Sequence, residues 1–189
     1  MNSSKVLQQL MFLNKRGFAS SLYNYGSKGN PQVYMTISKD GKSIGDLVFQ
    51  LYANHCPQTT ENFMSICTGS NASQLSYKGT KLDGGFPGIL VSGGKITEEN
   101  LAAEGRRLLD ENTKLRHHKR GMITMANDGE NAVGSQFMIT LDNADMLDGY
   151  HVAFGELVEG DNVLKEIERG LTRHGTFNNE FRIEATGTR

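Results

Sequence analysis

Few side chains in this sequence are spaced for covalent chemistry. Ser92 precedes Gly93-Gly94, but Leu90 stands where a nucleophile elbow needs glycine. Gly93-Gly94-Lys95 hints at a phosphate loop. Yet Ile89 occupies the place of its first glycine, and Ile96 replaces the Ser or Thr that follows the lysine. His117 and His118 are adjacent rather than at metal-ligand spacing, and no Cys/His pattern makes a zinc site. Cys56 and Cys67 make no disulfide framework and read as small apolar residues of a reducing compartment. Lys114, Arg116, His117, His118, Lys119 and Arg120 form a basic run that reads as a solvated loop. Metal, phosphate-loop and nucleophile chemistry are all disfavoured, and no cofactor is expected.

The elements that would position these residues are mostly short strands. Val33, Met35 and Ile37 alternate with polar neighbours, Asp40-Gly41 marks a tight turn, and Gly45 to Leu51 alternates again. Val33 to Tyr52 is therefore expected to be a hairpin. Pro57 opens a helix that Gly69 stops. An extended stretch is expected from Tyr77 and a bend over Gly84-Gly85-Phe86-Pro87-Gly88. Ile89-Leu90-Val91 reads as a short buried strand. Thr97 to Leu109 reads as helix, with acids at its start and arginines near its end. Gly121–Ala126, Gln136–Thr140, Val152–Gly155 and Phe181–Ala185 read as strands, and Asp161 to Glu168 as a helix capped by Asp161. The pattern describes a mainly β, closed or nearly closed antiparallel barrel with helical plugs.

The chain has 189 residues, enough for one domain and an extension. Lysine plus arginine number 20 and aspartate plus glutamate 21, a net charge of −1. That balance argues against nucleic acid as the main partner, since phosphate binding shows as a basic excess. No apolar run reaches the roughly 20 residues of a membrane span. The amino terminus differs from the rest. The first acidic residue is Asp40; before it lie Lys5, Lys15, Arg16, Lys28 and several serines. Val6, Leu7, Leu10 and Met11 share one face at helical spacing. This is the composition of a mitochondrial transit peptide, with a peptidase-like site around Arg16-Gly17-Phe18-Ala19. The expected division is a targeting segment over 1–18, an extension over 19–31 and a domain over 32–189, in the matrix or on the matrix side of the inner membrane.

Several motifs then line up in order. They are Pro57-Gln58-Thr59-Thr60-Glu61-Asn62-Phe63, Tyr77-Lys78-Gly79-Thr80, Pro87-Gly88, Gly93-Gly94 and Asp110-Glu111-Asn112. Met125-Ala126-Asn127, Gly134-Ser135-Gln136-Phe137 and Leu147-Asp148-Gly149-Tyr150-His151-Val152-Ala153-Phe154-Gly155 follow. From about Val33 to Gly187 the chain resembles a cyclophilin, the family of peptidyl-prolyl cis-trans isomerases. The resemblance implies a closed eight-stranded antiparallel barrel, two capping helices and a proline-binding groove on its outside. It also implies the reaction: rotation about an X–Pro amide, assisted by an arginine four residues before Gly88.

That position is Gly84, preceded by Asp83 where the family has histidine. No arginine lies between Tyr77 and Thr97. Other family groove positions have also changed, to Ser92, Ile89 followed by Leu90, Met138 and Met146. Ala126, Asn127, Gln136, Leu147 and His151 survive. The backbone-binding side is retained and the cationic, ring-stacking side is gone. The expected role is thus a cyclophilin-like domain with a degenerate site, partnered by proteins of a mitochondrial complex and by proline-containing peptides. The alternative is an active mitochondrial isomerase that assists folding.

Overall fold

The structure is a computed structural model and describes residues 29–96, 102, 108–127 and 132–189. The segment 1–18, most of the extension and most of the stretch Thr97 to Leu109 lie outside the described residues.

The first hairpin forms as the alternation demands. β1 (Gln32–Lys39) pairs antiparallel with β2 (Lys42–Leu51), and Val33, Met35, Ile37, Leu47, Phe49 and Leu51 are buried. Asp40 and Gly41 both take positive φ, 49° and 77°, which matches the twist of a two-residue turn. α1 (Pro57–Thr68) begins with proline and ends at Gly69 in the left-handed region. β3 (Leu82–Phe86), β4 (Leu90–Gly93), the two-residue β5 (Leu108–Leu109), β6 (Met122–Asn127) and β7 (Ala132–Thr140) follow. A 3-10 turn (Asp145–Leu147), β8 (Ala153–Glu159), α2 (Asp161–Gly170) and β9 (Phe181–Thr188) complete the chain.

The strands form one antiparallel sheet in the order β3-β4-β7-β6-β8-β2-β1-β9, with β5 paired to β7. Its two ends meet through the Lys81–Arg182 bridge and two hydrogen bonds, Gly79 N–H to Ile183 O (2.7 Å) and Ile183 N–H to Thr80 O (2.8 Å). The result is the expected mainly β, nearly closed eight-strand barrel with two helices. The bridge and the two hydrogen bonds partner part of each edge, which covers some of their backbone donors and acceptors. Phe63 of α1 fills the interior among Tyr77, Phe137 and Phe154, with ring centroids 5.1, 5.6 and 4.9 Å away. Val163, Leu164 and Ile167 of α2 are also buried, at the helical spacing of one face.

Five local expectations are corrected. Gly84 and Gly85 belong to strand β3; the bend is confined to Phe86–Ile89, where Ile89 N–H donates to Phe86 O. Ile89 is consequently in the turn, and β4 starts at Leu90. Leu108 and Leu109, the described end of the expected helix, are strand, paired with Val133 and Ala132. The residue preceding α2 as its cap is Gly160, left-handed at φ 99°; Asp161 is the first helical residue and pairs instead with Arg120 and Lys165. Tyr77 to Thr80 forms a turn, because the Thr80 amide and hydroxyl both donate to Tyr77 O.

Candidate functional site

Strand register decides which of the sequence-identified positions meet. Gly84 of β3 sits opposite Ser92 of β4, Ser92 opposite Met138 of β7, and Met138 opposite Thr124 of β6. The changed positions Gly84, Ser92 and Met138 therefore form one row across the sheet. Beside it lies a small apolar cluster separate from the barrel core: Leu90, Met138, Ala144 and Leu147, with Ile89 and Ala126 packed against it. The structure thus brings together Ile89, Leu90, Ala126, Met138 and Leu147. Met146 is not part of this cluster. Its side chain is 60% exposed, since the 3-10 turn that buries Leu147 turns its neighbour outward.

The polar positions divide in the same way. Gln136 donates to the Asp83 carboxylate at 3.5 Å, and Ser92 Oγ donates to Gly84 O at 3.4 Å. The Asn127 amide is already engaged, donating to Asp110 Oδ2 (3.1 Å) and to Tyr150 O (2.7 Å). His151 is held below the ordinary imidazole pKa by burial, against a hydrogen bond with the Met125 backbone and the nearby charge of Asp110. Burial raises the pKa of Asp110 and of Asp83, against their hydrogen bonds from Asn127 and Gln136 and, at Asp83, the charge of Lys95.

At Gly84 the backbone itself excludes a side chain. Its φ is +138°, and a Cβ placed there would lie 2.4 Å from the carbonyl oxygen of Gly175. The same oxygen accepts a hydrogen bond from Gly85 N–H at 2.9 Å. A Cβ on Gly175 would in turn lie 2.3 Å from Gly85 O. Two glycine backbones therefore face each other where the resemblance led one to look for an arginine. Absence of Cβ at both positions is what permits this approach.

One supporting residue was hidden in the basic run. His117 is fully buried, not solvated: its N–H and its Nδ1 both meet Asp148 Oδ1, at 2.8 and 2.9 Å. Its carbonyl accepts from Ala144 N–H at 2.9 Å. His117 thereby braces the segment that carries Leu147 into the apolar cluster. The signal available in sequence was the apolar Leu115 two residues earlier, also buried. Burial lowers the His117 pKa, opposed by the hydrogen bond and charge of Asp148. Cys56 is likewise inert: burial first, and the charge of Glu111 second, push its thiol up to about 12.

A concavity of about 230 Å³ lies elsewhere, between α1 and residues 70–72, lined by Gln58, Glu61, Asn62, Ser65, Asn71 and Leu108 among others. It contains none of the expected groove positions, only Gln58, Glu61 and Asn62 of the Pro57–Phe63 motif. Among the described residues no group of three or more His, Cys, Asp or Glu is arranged to hold a metal ion. No described helix is long and apolar enough to cross a membrane. The family model "Cyclophilin type peptidyl-prolyl cis-trans isomerase/CLD" matches residues 33–188. That match spans every strand of the barrel and both helices, and the observed sheet order, turns and outer apolar cluster accompany it. The chain belongs to the cyclophilin-type peptidyl-prolyl cis-trans isomerase family.

Proposed function

We propose that this is a cyclophilin-type domain with a degenerate isomerase site, serving as a structural or interaction subunit of a larger mitochondrial assembly. The observation that carries the reading is Gly84. Isomerisation must lower a barrier of roughly 18–20 kcal/mol. Twisting the amide breaks its resonance, so a catalyst must bind the twisted form better than either planar one. A fixed cation beside the prolyl nitrogen does so. At Gly84 there is no side chain, and the nearest group to a Cβ there is the carbonyl oxygen of Gly175, the negative end of a peptide dipole. Losing a preorganised donor costs about 3–4 kcal/mol of transition-state stabilisation.

Binding does not need that cation. Ile89 and Ala126, part-exposed over the buried Leu90, Met138 and Leu147, offer an apolar surface for a proline ring, and Gln136 a polar neighbour. The mitochondrial part of the reading is supported by the basic, acid-free composition of residues 1–18.

In a prolyl-peptide assay the full chain is expected to leave the exchange at its uncatalysed pace of tens to hundreds of seconds. A rate well above that background overturns the degenerate site and favours an active mitochondrial isomerase. In a gradient of mitochondrial extract, the chain is expected to sediment with a large assembly; sedimentation as a free monomer overturns the subunit role.

A further inference from the structure

The irregularity in β3 has a chemical consequence at the groove. Leu82 pairs with Gly93 and Gly84 with Ser92, so two steps along β3 match one step along β4. Asp83 is the extra residue, a β-bulge. Such a bulge interrupts the strict in-out alternation and re-aims the side chain it carries. Here the Asp83 side chain reaches Gln136 of β7, whose amide donates to it at a long 3.5 Å. Asp83 therefore stands beside the row Gly84, Ser92 and Met138.

The electrostatics of this corner are reversed relative to an arginine-bearing groove. Asp83 forms no ion pair among the described residues, and its side chain accepts a hydrogen bond from the Gln136 amide. Asp83 is exposed, and Lys95 acts on it only through its charge. An exposed carboxylate with a neutral donor gains modestly from a cation brought by a ligand. The apolar cluster would seat the proline ring, and successive residues of an extended peptide advance about 3.3 Å. Asp83, on the strand next to Ser92 and beside the row that reaches Met138, is placed to meet a residue flanking that proline.

We propose that Asp83 is a specificity-determining residue of this groove, which favours prolyl peptides carrying lysine or arginine next to the proline. The inference rests on the reading of the groove as a peptide-binding surface. It does not require turnover.

The test titrates the isotope-labelled full chain with three blocked peptides, Lys-Pro-Lys, Ala-Pro-Ala and Glu-Pro-Glu, and follows amide shifts by NMR. The lysine peptide is expected to bind about three- to fivefold more tightly than the alanine peptide at low salt. The glutamate peptide is expected to bind most weakly. The preference should collapse in high salt and in Asp83→Asn, an exposed substitution that leaves the dispersed spectrum intact. Equal affinity for the lysine and alanine peptides, or a preference that survives Asp83→Asn, overturns the role of Asp83 while leaving the groove as a prolyl-peptide site. Absence of binding by all three overturns the peptide-binding groove itself, and this inference with it.

Discussion

A single missing Cβ separates two very different surfaces at position 84. An arginine introduced there has no room even for its first side-chain carbon. The new Cβ would fall 2.4 Å from Gly175 O, inside any van der Waals contact, and the backbone would have to hold a φ of +138° that side chains rarely adopt. The contact that would be displaced is a hydrogen bond, Gly85 N–H to Gly175 O. Gly84→Arg is therefore expected to lose about 2–4 kcal/mol of stability, from strain and the broken backbone contact together. It should also leave prolyl exchange at background. Urea unfolding and the exchange assay check both parts. A variant as stable as the parent would mean that the loop around Gly175 yields easily and that position 84 is open. The sequence shows glycine where the resemblance places an arginine, but not that another backbone packs against that glycine. That fact depends on a glycine 91 positions away, beyond any local pattern.

The elements were largely legible, because strand alternation, the Asp40-Gly41 turn and the Pro57-to-Gly69 span are local signals with local causes. Where reading failed, the cause was tertiary. Gly84 and Gly85 look like a bend because glycine is usually a turn residue; here they flatten β3 for close approach. The start of α1 is another case. Cys56 precedes the helix and supplies no side-chain cap. Instead Glu111, 53 residues away from Gln58, accepts from the amides of Gln58 and Thr59 and from the Thr59 hydroxyl, at 3.0, 2.9 and 2.9 Å. Its carboxylate both satisfies donors that a helix leaves open and opposes the positive end of the helix dipole. Asn112 adds a hydrogen bond to His55 O. Glu111→Gln keeps the shape but loses the charge and one acceptor, and is expected to lower stability by about 1 kcal/mol; Glu111→Ala by about 2. Chemical denaturation of the three proteins in parallel checks the ranking. An Ala variant as stable as its parent would mean that the buried face of α1, Phe63, Ile66 and Cys67 among it, holds the helix without Glu111.

At the scale of the whole molecule, the acid response follows from its histidines. His117, His118 and His151 all have pKa values lowered by burial from the ordinary 6.5. In the unfolded chain each takes up a proton near 6.5; in the folded protein each resists until a lower pH. Between those two points the unfolded state binds more protons, so stability falls as pH falls. The slope is about 1.4 kcal/mol per pH unit for each histidine kept fully neutral. Asp83 and Asp110 act in the opposite sense, because their folded pKa values are raised, but from an ordinary 3.8. Asp161, lowered by its pairs with Lys165 and Arg120, also acts near or below that value. The interval from pH 7.5 to 5.5 thus belongs mainly to the histidines. His117, without exposed surface, should contribute most, and the half-buried His118 and His151 less. A loss of about 1–3 kcal/mol across that interval is expected from urea unfolding. In His117→Gln the slope should flatten, whatever the starting stability of the variant. A wild-type stability that stays level from 7.5 to 5.5 would mean that these imidazoles bind protons equally in both states. The brace between His117 and Asp148 would then form as readily with imidazolium as with imidazole, and the segment bearing Leu147 would keep its place in acid.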